Sequence, residues 1–175
     1  MKYPVAVLLH NVRSAHNVGS IFRSADAAGI LSIYLSGYTP RPEDRFGRAQ
    51  KEIAKTALGA EITLPWEYHA TPAPLIARLK REGWSIVGVE QDARAIDYRT
   101  LSIRKPTLFV FGNEVRGLSK ELRALSDVLI EIPMRGAVVR QAHHQRHTGR
   151  GKESLNVSVA AGIVLFSARH KSASR

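Results

Sequence analysis

The sequence predicts an α/β fold in which a mainly parallel sheet is flanked by helices. Several segments, such as Val5 to Leu9, are uninterrupted apolar runs, the pattern of strands that are buried on both faces of a sheet. These runs alternate with segments of helical periodicity, which is the order found in βαβ units. The length of 175 residues and the 44% share of hydrophobic residues suit one domain with a sizeable core. We therefore expect a single domain over residues 1–175.

The first helix is predicted from Asn17 to Ala28, with Asn17 as its N-cap and Gly29 closing it. Arg23 lies almost opposite the apolar face of this helix. The apolar face consists of Val18, Ile21, Phe22, Ala25 and Ala28. A strand from Leu31 to Leu35 follows, so the chain opens as a βαβ unit.

The same signals predict the elements after the loop at Gly37 to Gly47, which is rich in proline and charge. Helices are expected over residues 48–58, from the cap Thr71 to Gly83, and over 120–124 after the cap Ser119. Strands are expected near 61–64 and over 85–89, 107–111 and 128–132. A short polar connection with Asp92, Arg94 and Asp97 joins the strands at 85–89 and 107–111.

The last helix is predicted from Ser154, its N-cap, to Phe166. It is apolar nearly all round, so it must be covered on every side by its own domain or by a partner subunit. Its first turn carries the small polar residues Ser154 and Asn156, at the end of a helix that favours the electronegative atoms of a ligand. This combination indicates a site, and the alternative is a core helix with ordinary capping.

The composition points to a nucleic-acid partner. The chain has 26 Lys and Arg against 15 Asp and Glu, a net charge of +11 that attracts polyanions. The absence of cysteine excludes disulfides, thiolate nucleophiles and cysteine-based zinc sites. The apolar run at the N-terminus is too short for a signal peptide, and no stretch approaches the ~20 residues of a membrane span. We therefore expect a soluble, cytoplasmic protein without a membrane partner.

One segment, from Ala137 to Gly151, has no hydrophobic period and contains no acidic residue. It is interpreted as an exposed insertion. Its histidines His143, His144 and His147 have spacings that suit zinc on a helix, but no cysteine or carboxylate stands near them. We therefore expect no metal site.

Three polar segments follow the ends of predicted strands, where open α/β sheets bind ligands. The first runs from Asn11 through Asn17 and Gly19 to Arg23. The second is Phe109-Val-Phe-Gly-Asn-Glu-Val-Arg-Gly-Leu-Ser, in which two glycines bracket Glu114, so that backbone groups can meet a flat ligand. The third is Ile-Pro-Met-Arg-Gly from Ile132, continued after the insertion by Ser-Leu-Asn-Val-Ser-Val-Ala. The second segment lacks the spacing of a phosphate-binding P-loop, so a nucleotide triphosphate is not favoured.

Together the three motifs resemble those of the SpoU (TrmH-type) RNA 2′-O-ribose methyltransferases of the SPOUT superfamily. That family carries Asn-x-Gly-x-x-x-Arg, then Gly-Asn-Glu-x-x-Gly-Leu, then Ile-Pro-Met-x-Gly followed by Ser-Leu-Asn-Val-Ser-x-Ala, and all are present here in this order. The resemblance implies a deep C-terminal trefoil knot that binds S-adenosylmethionine without a metal, and a homodimer. The insertion departs from the family pattern, because it lies inside the loop of the knot and so bears on cofactor affinity.

The resemblance also implies which residues form the site. The implied cofactor-binding residues are Phe111, Gly112, Asn113, Glu114, Gly117, Ile132, Met134 and Leu155. The implied catalytic residues are Arg23, Asn17, Glu114, Ser154 and Asn156. The reaction would be the attack of a ribose 2′-hydroxyl on the methyl group. Because a guanidinium stays protonated, we expect Arg23 to bind the adjacent phosphate and stabilise developing charge, oriented by Asn17, while phosphate or water takes the proton.

The substrate is expected to be tRNA rather than ribosomal RNA. The chain begins at the first strand and ends at Arg175, soon after the last helix, which leaves the basic surface of the catalytic domain to grip a compact RNA. No DNA partner is expected. The alternatives are the same reaction on ribosomal RNA and a non-catalytic RNA-binding protein on this scaffold. A doubly wound nucleotide-binding enzyme is disfavoured, because the glycine-rich fingerprint after the first strand is absent.

Overall fold

A computed structural model describes residues 2–134 and 154–173 of the chain, and within them seven strands form one sheet. The order across the sheet is β3-β2-β1-β6-β4-β7-β5, and all six pairs of neighbouring strands are parallel. The strands are β1 Val5–His10, β2 Ser32–Ser36, β3 Trp66–His69, β4 Ser85–Val89, β5 Ile96–Asp97, β6 Thr107–Phe111 and β7 Val128–Glu131. The predicted α/β class with a parallel sheet is confirmed.

Helices cover both faces of this sheet. They are α1 Ala15–Ala28, α2 Lys51–Ala57, α3 Ala60–Thr63, α4 Pro72–Arg81, α5 Lys120–Leu125 and α6 Val157–Ala173, with a 3-10 turn at Tyr98–Thr100. On one face, α6 packs against α1, and α1 packs against α2 and α3. On the other face, Leu75, Ile76 and Leu79 of α4 join Leu122 of α5 in a second apolar cluster. The sheet therefore lies between two helical layers.

The central strand β1 shows why its sequence is an unbroken apolar run. Val5, Val7 and Leu9 belong to the core beneath α1 and α6, whereas Ala6 and Leu8 belong to the core beneath α4 and α5. Alternate side chains point to opposite faces of a strand, so a strand that is covered on both sides needs apolar residues at every position. All five residues are 0% exposed.

Two predicted helix caps are wrong, and in both cases another polar residue takes the position. Helix α1 begins at Ala15, and Ser14 is its N-cap, since the Ser14 Oγ accepts from the Asn17 N–H at 3.2 Å. Helix α6 begins at Val157. Just before it, the Asn156 Oδ1 accepts from the Ser158 N–H at 2.8 Å, which is the bond of an N-cap. The side chains of Asn17 and Ser154 are therefore not helix caps.

The third strand is also displaced from its predicted place. Residues 61–64, predicted as a strand, lie mainly in helix α3, which starts after Gly59. The strand is Trp66–His69, at the edge of the sheet, where its half-exposed sequence lacks an apolar run. The short strand Ile96–Asp97, at the opposite edge, lies in the segment predicted as a polar connection.

Some predictions fall outside the described residues. The insertion at 137–151 and its histidines His143, His144 and His147 belong to residues 135–153, which the structure does not describe. The chain path that would thread a trefoil knot passes through the same residues, so the knot stays a prediction. Within residues 2–134 and 154–173, no helix is long and apolar enough to cross a membrane.

Gly19 has a packing role that its place in the first motif does not reveal. A Cβ atom at this position would lie 2.4 Å from the Ile53 carbonyl oxygen and would overlap the Thr56 hydroxyl. Gly19 therefore lets α1 pack closely against α2 of the same chain.

Candidate active site

An open cleft of about 250 Å³ lies at the carboxyl ends of the central strands. Parallel strands all end at the same edge, so the loops after β4, β6 and β7 meet there with the start of α6. The cleft is lined by Val89, Glu90, Gln91, Phe111, Gly112, Asn113, Glu114, Val115, Arg116, Gly117, Glu131, Ile132, Met134, Ser154, Leu155, Val157 and Ala160. All eight residues that the resemblance implies for cofactor binding are in this set.

Glu114, in the loop after β6, joins the first two motifs. Its carboxylate accepts hydrogen bonds from the backbone N–H groups of Arg13 at 3.0 Å and Ser14 at 3.1 Å. It also accepts from the Asn17 side-chain amide at 3.2 Å. These bonds connect residues about a hundred positions apart, so the loop before α1 is fixed by a side chain from the second motif.

The environment of Glu114 keeps it ionised. Partial burial raises the pKa of its carboxyl, but the hydrogen bonds from the backbone of Arg13, Glu114 itself and Ser14, and from the Asn17 amide, outweigh this and leave the pKa below its ordinary value of 4.5. A carboxylate of low pKa that is already surrounded by donors is a poor proton acceptor. Glu114 is therefore suited to holding the site together.

The third motif is attached to the same network through Asn17. The Asn156 side-chain amide donates to the Asn17 Oδ1 at 3.2 Å, while the Asn156 Oδ1 accepts from the Ser158 N–H and hydroxyl. Because the Asn17 amide in turn donates to Glu114, a single chain of hydrogen bonds runs through all three motifs. Asn17 is free to link the motifs because Ser14, and not Asn17, caps α1.

Asn113 closes the loop of the second motif and connects it to two others. Its side-chain oxygen accepts from the N–H groups of Val115 and Arg116, both at 2.9 Å. Its amide donates to the Asn11 carbonyl at 3.1 Å and to the Tyr38 hydroxyl at 3.0 Å. The residue therefore fixes the turn after β6 against the loops after β1 and β2.

Glu90, at the end of β4, is a site residue that the sequence reasoning missed. It lines the cleft, and its two carboxylate oxygens accept from the backbone N–H groups of Leu118 and Gln91. Gly117 sits directly against it, with a φ of 64°, and a Cβ there would overlap the carboxylate. Glu90 thus clamps the end of the second motif. Its position at the carboxyl end of a predicted strand was the available signal.

His10 and Asn11 shape the loop after β1. The His10 ring is hydrogen-bonded through Nδ1 to the Ser36 hydroxyl at 2.8 Å and through Nε2 to the Asn11 amide at 3.0 Å. Partial burial lowers the pKa of His10, which favours the neutral ring. Asn11 adopts a left-handed conformation with a φ of 59°, and its Oδ1 accepts from the Tyr38 N–H. A Cβ at Gly37 would overlap this Oδ1, so only glycine fits beside it.

The five predicted catalytic residues separate into two groups. Glu114 and Ser154 line the cleft, and Asn17 and Asn156 are bonded into the Glu114 network. Arg23 lies on the exposed side of α1, outside the set of cleft-lining residues. In the part of the chain that the structure describes, its side chain makes no hydrogen bond or ion pair.

The charges of the cleft contrast with those of the whole protein. Of the residues that the structure describes, the charged ones that line the cleft are Glu90, Glu114 and Glu131 and one cation, Arg116, in a chain of net charge +11. The other lining side chains are mostly apolar, and a loop that cradles phosphates is absent from these lining residues. Such a cleft fits a flat, uncharged or cationic group better than a nucleotide triphosphate. Among residues 2–134 and 154–173, no cluster of side chains is arranged to hold a metal ion.

Comparison with known proteins identifies the class to which this fold and site belong. Residues 4–140 match the sequence model of the SpoU rRNA Methylase family. The chain therefore belongs to this family.

Two relatives of known name are similar to the chain over nearly its whole length. The chain is 30% identical to the tRNA (guanosine(18)-2'-O)-methyltransferase of Escherichia coli K12 over 95% of its own length and 63% of that protein. It is 31% identical to the 23S rRNA (guanosine-2'-O-)-methyltransferase RlmB of Pseudomonas syringae pv. tomato over 98% of its length and 61% of that protein. The chain thus spans less than two thirds of either relative.

The fold agrees with a solved member of the family. The crystal structure of the SpoU methyltransferase AviRb from Streptomyces viridochromogenes, in complex with AdoMet, matches with a TM-score of 0.77 and 26% identity. The match covers 96% of this chain and 57% of that chain. The helix-flanked parallel sheet is therefore that of the SpoU methyltransferases.

Proposed function

We propose that the protein is an RNA 2′-O-ribose methyltransferase that uses S-adenosylmethionine. The observation that carries this proposal is the chain of hydrogen bonds from Glu114 through Asn17 to Asn156, which unites the three motifs beside the cleft. A binding protein without chemistry would need the basic surface but not this constellation. Family membership supports the same activity.

The lining of the cleft fits this cofactor. Phe111, Ile132 and Met134 offer apolar surface for an adenine ring, and the loop from Gly112 offers backbone groups. Glu90 and Glu131 supply carboxylates, which suit ribose hydroxyls and cationic groups. When bound, S-adenosylmethionine supplies an electrophilic methyl group on a sulfonium centre.

The residues of the chain have distinct parts in the reaction. Ser154 and Asn156 position the ribose at the mouth of the cleft, and Glu114 holds Asn17 and the loop before α1 in place. Arg23 binds the phosphate next to the target and stabilises the charge that develops on the 2′-oxygen. Since Glu114 is committed to its donors, the proton passes to phosphate or water.

We propose that the active form is a homodimer built on α6. One side of α6 is buried against the rest of the chain through Val157, Ala161 and Val164. Val159 and Phe166 lie on another side and remain 49% and 42% exposed. An apolar stripe of this kind on a helix is covered when two copies meet across a twofold axis. Light scattering of the wild type and of Phe166→Asp measures the number of subunits. A monomeric wild type would contradict the proposed homodimer.

We take tRNA as the substrate class and 23S rRNA as the alternative, because the matched relatives include methyltransferases of each. Either substrate places the activity in the cytoplasm. A tritium-transfer assay with bulk tRNA and with 23S rRNA separates the two. Transfer to neither RNA by a protein that binds S-adenosylmethionine would contradict the proposed activity.

The first experiment is calorimetry of the protein with S-adenosylmethionine and with S-adenosylhomocysteine. We expect binding of both. If neither binds, the titration is repeated with residues 137–151 deleted, because that segment interrupts the third motif. If the deletion variant also binds neither ligand, the non-catalytic RNA-binding alternative is favoured.

Substitution of Arg23 tests its role. Arg23→Ala should abolish methyl transfer and leave cofactor binding nearly intact, because Arg23 does not line the cleft. Arg23→Lys should fail too, since an ammonium cannot reproduce the planar guanidinium. The control is Arg81→Ala, an exposed arginine at the end of α4. Full activity of Arg23→Ala would remove this residue from the mechanism.

A further inference from the structure

The loop between β2 and α2 ends in a small, internally bonded turn. Residues 44–48, which we name the Phe46 tip, are closed by backbone bonds from Asp44 N–H to the Arg48 carbonyl and from Gly47 N–H to the Asp44 carbonyl, both at 3.0 Å. Behind the tip, Glu43 pairs with Ala49 in an antiparallel bridge, and Gln50 donates to the Pro42 carbonyl. The tip is therefore preorganised by its own backbone.

Asp44 fixes the side chains of the tip. Its Oδ1 accepts from the N–H groups of Phe46 and Arg48, and its Oδ2 accepts from the Arg48 guanidinium at 2.7 Å. These bonds, led by the one from the Arg48 backbone, hold the pKa of Asp44 below its ordinary value. The turn is thus closed at neutral pH.

The tip presents an exposed aromatic ring beside two cations. Phe46 is 66% exposed, and the guanidinium groups of Arg45 and Arg48 lie 4.7 Å and 5.0 Å from its ring centroid. A single exposed apolar side chain is ordinary on a protein surface. A ring that is held on a closed turn beside two arginines is typical of single-strand nucleic-acid sites, where bases stack on aromatic rings and arginines contact the phosphate backbone.

Two further exposed aromatic rings lie near the tip, Tyr38 in the same loop and Tyr68 in strand β3, whose hydroxyl is bonded to this loop. Tyr38 is 58% exposed, and its hydroxyl accepts from Asn113 of the second motif, which places it beside the candidate active site. Tyr68, at the edge of the sheet, donates its hydroxyl proton to the Gly37 carbonyl and has the Arg41 guanidinium 4.4 Å from its ring. Aromatic and cationic groups therefore extend along the loop from the Phe46 tip to the second motif.

We propose that this loop is a stacking surface for single-stranded RNA, in which Phe46 and Tyr38 bind unpaired bases that flank the target nucleotide. Arg45 and Arg48 contact the phosphates between those bases. The proposal rests on the proposed function, since it takes the RNA substrate as given and states that the substrate is held unpaired. Duplex RNA hides its base faces, so it offers this surface only phosphates.

The test measures binding of a fluorescein-labelled, unstructured RNA of about twelve nucleotides, a length that spans a typical single-strand site. The full-length protein is titrated with this strand, with the same strand in an RNA duplex, and with S-adenosylmethionine alone. We expect the single strand to bind more tightly than the duplex. A preference for the duplex would overturn the proposal, as would a protein that binds neither RNA at low salt.

Phe46→Ala should weaken binding of the single strand about ten-fold, the usual cost of losing one base-stacking ring. Phe46→Trp should restore it. Arg45→Ala should lower the slope of log affinity against log salt by about 0.7, the value for one phosphate contact to a single strand, while Phe46→Ala leaves that slope unchanged. The control is Ile62→Ala, which truncates an apolar side chain that is 83% exposed and belongs to α3 instead of the loop.

The outcomes separate this proposal from the proposed function. Unchanged RNA affinity in Phe46→Ala would overturn the stacking surface, and a change in subunit number in that variant would assign Phe46 to a contact between copies. Loss of RNA affinity with S-adenosylmethionine binding retained supports the proposal. If the wild type binds the single strand through Phe46 but never binds S-adenosylmethionine, the methyltransferase function fails and the stacking surface stands.

Discussion

Two loops at the same edge of the sheet are each organised by one carboxylate, and they differ in how far that carboxylate reaches. Glu114 accepts from Arg13, Ser14 and Asn17, about a hundred residues away in the chain. Asp44 accepts from Phe46 and Arg48, two and four residues away. Both carboxyls have pKa values below the ordinary range for their type.

The difference in reach separates a site that depends on the whole fold from one that depends on a turn. Bonds to Glu114 form only when β1, α1 and β6 are in place, so this network belongs to the cooperative core of the domain. Bonds to Asp44 form within a few residues and involve an exposed turn, where local rearrangement leaves the core untouched. Substitutions near Glu114 should therefore affect stability and chemistry together, and substitutions in the Phe46 tip should affect binding alone.

Asn17→Asp should have the largest effect, because it sets a second carboxylate 3.2 Å from that of Glu114 in place of a donor. We expect methyl transfer to fall about 100-fold or more, since displacement of positioned groups by even an ångström costs that much. Thermal unfolding should also shift downwards. Asn17→Ala, which removes the bond without adding charge, is the matched control and should lie between Asn17→Asp and the wild type. Equal activity in all three proteins would show that this hydrogen-bond network does not contribute to catalysis.

Glu90→Ala should have a smaller effect that is confined to the cofactor. Removal of the carboxylate frees the N–H groups of Leu118 and Gln91, and we expect affinity for S-adenosylmethionine to fall about ten-fold, as for loss of a hydrogen bond to a charged group. KM for the cofactor should rise more than kcat falls. Glu90→Gln, which satisfies only one of the two donors, should be intermediate, and Glu121→Ala, which removes an exposed carboxylate on α5, should match the wild type. An effect on RNA affinity rather than cofactor affinity would refute this role.

The fold was predictable where burial alone decides the sequence. The strands at β1 and β6 are covered on both faces, so every residue in them except His10 and Thr107, at their ends, is apolar and the pattern is plain. The edge strand Trp66–His69 is half exposed and mixes polar with aromatic residues, so no run marks it. Residues 61–64 form a helical turn, and the Glu61 carboxylate accepts from the Gly59 N–H there. A local hydrogen bond of this kind leaves no periodic pattern of hydrophobic residues in the sequence.

The candidate site was predictable through its motifs and not through local capping rules. Helices α1 and α6 each have two polar residues near the start, and either could be the N-cap. The sequence alone does not show that Ser14 caps α1 instead of Asn17, or that Asn156 caps α6 instead of Ser154. Glu90 was missed because one of its two partners, Leu118, is distant in the chain and becomes a neighbour only when β4 and β6 pair. A lone glutamate after a strand has no pattern of its own.

The pH dependence of stability sharpens the comparison of the two carboxylates. The pKa of Glu114 in the folded protein lies below its ordinary value of 4.5, so its contribution to stability is fully present above that pH and is lost as the pH falls through the folded-state pKa. The difference in unfolding free energy between the wild type and Glu114→Gln should be below about 1 kcal/mol, because the carboxylate is partly exposed, and should shrink in acid. Urea unfolding across this pH range measures it. A difference that grows on acidification would contradict the assigned sign.

Asp44→Ala should have the smallest effect, restricted to RNA. The substitution leaves Phe46 and both arginines in the chain but removes the bonds that close the tip, so the ring must be ordered on binding. We expect affinity for the single-stranded RNA to fall about three-fold, the scale of ordering one side chain. Asp44→Asn keeps an acceptor for the backbone N–H groups and should recover most of the affinity for single-stranded RNA. Thermal unfolding and cofactor affinity should stay at wild-type values, and a fall in either would show that the tip belongs to the same cooperative unit as Glu114.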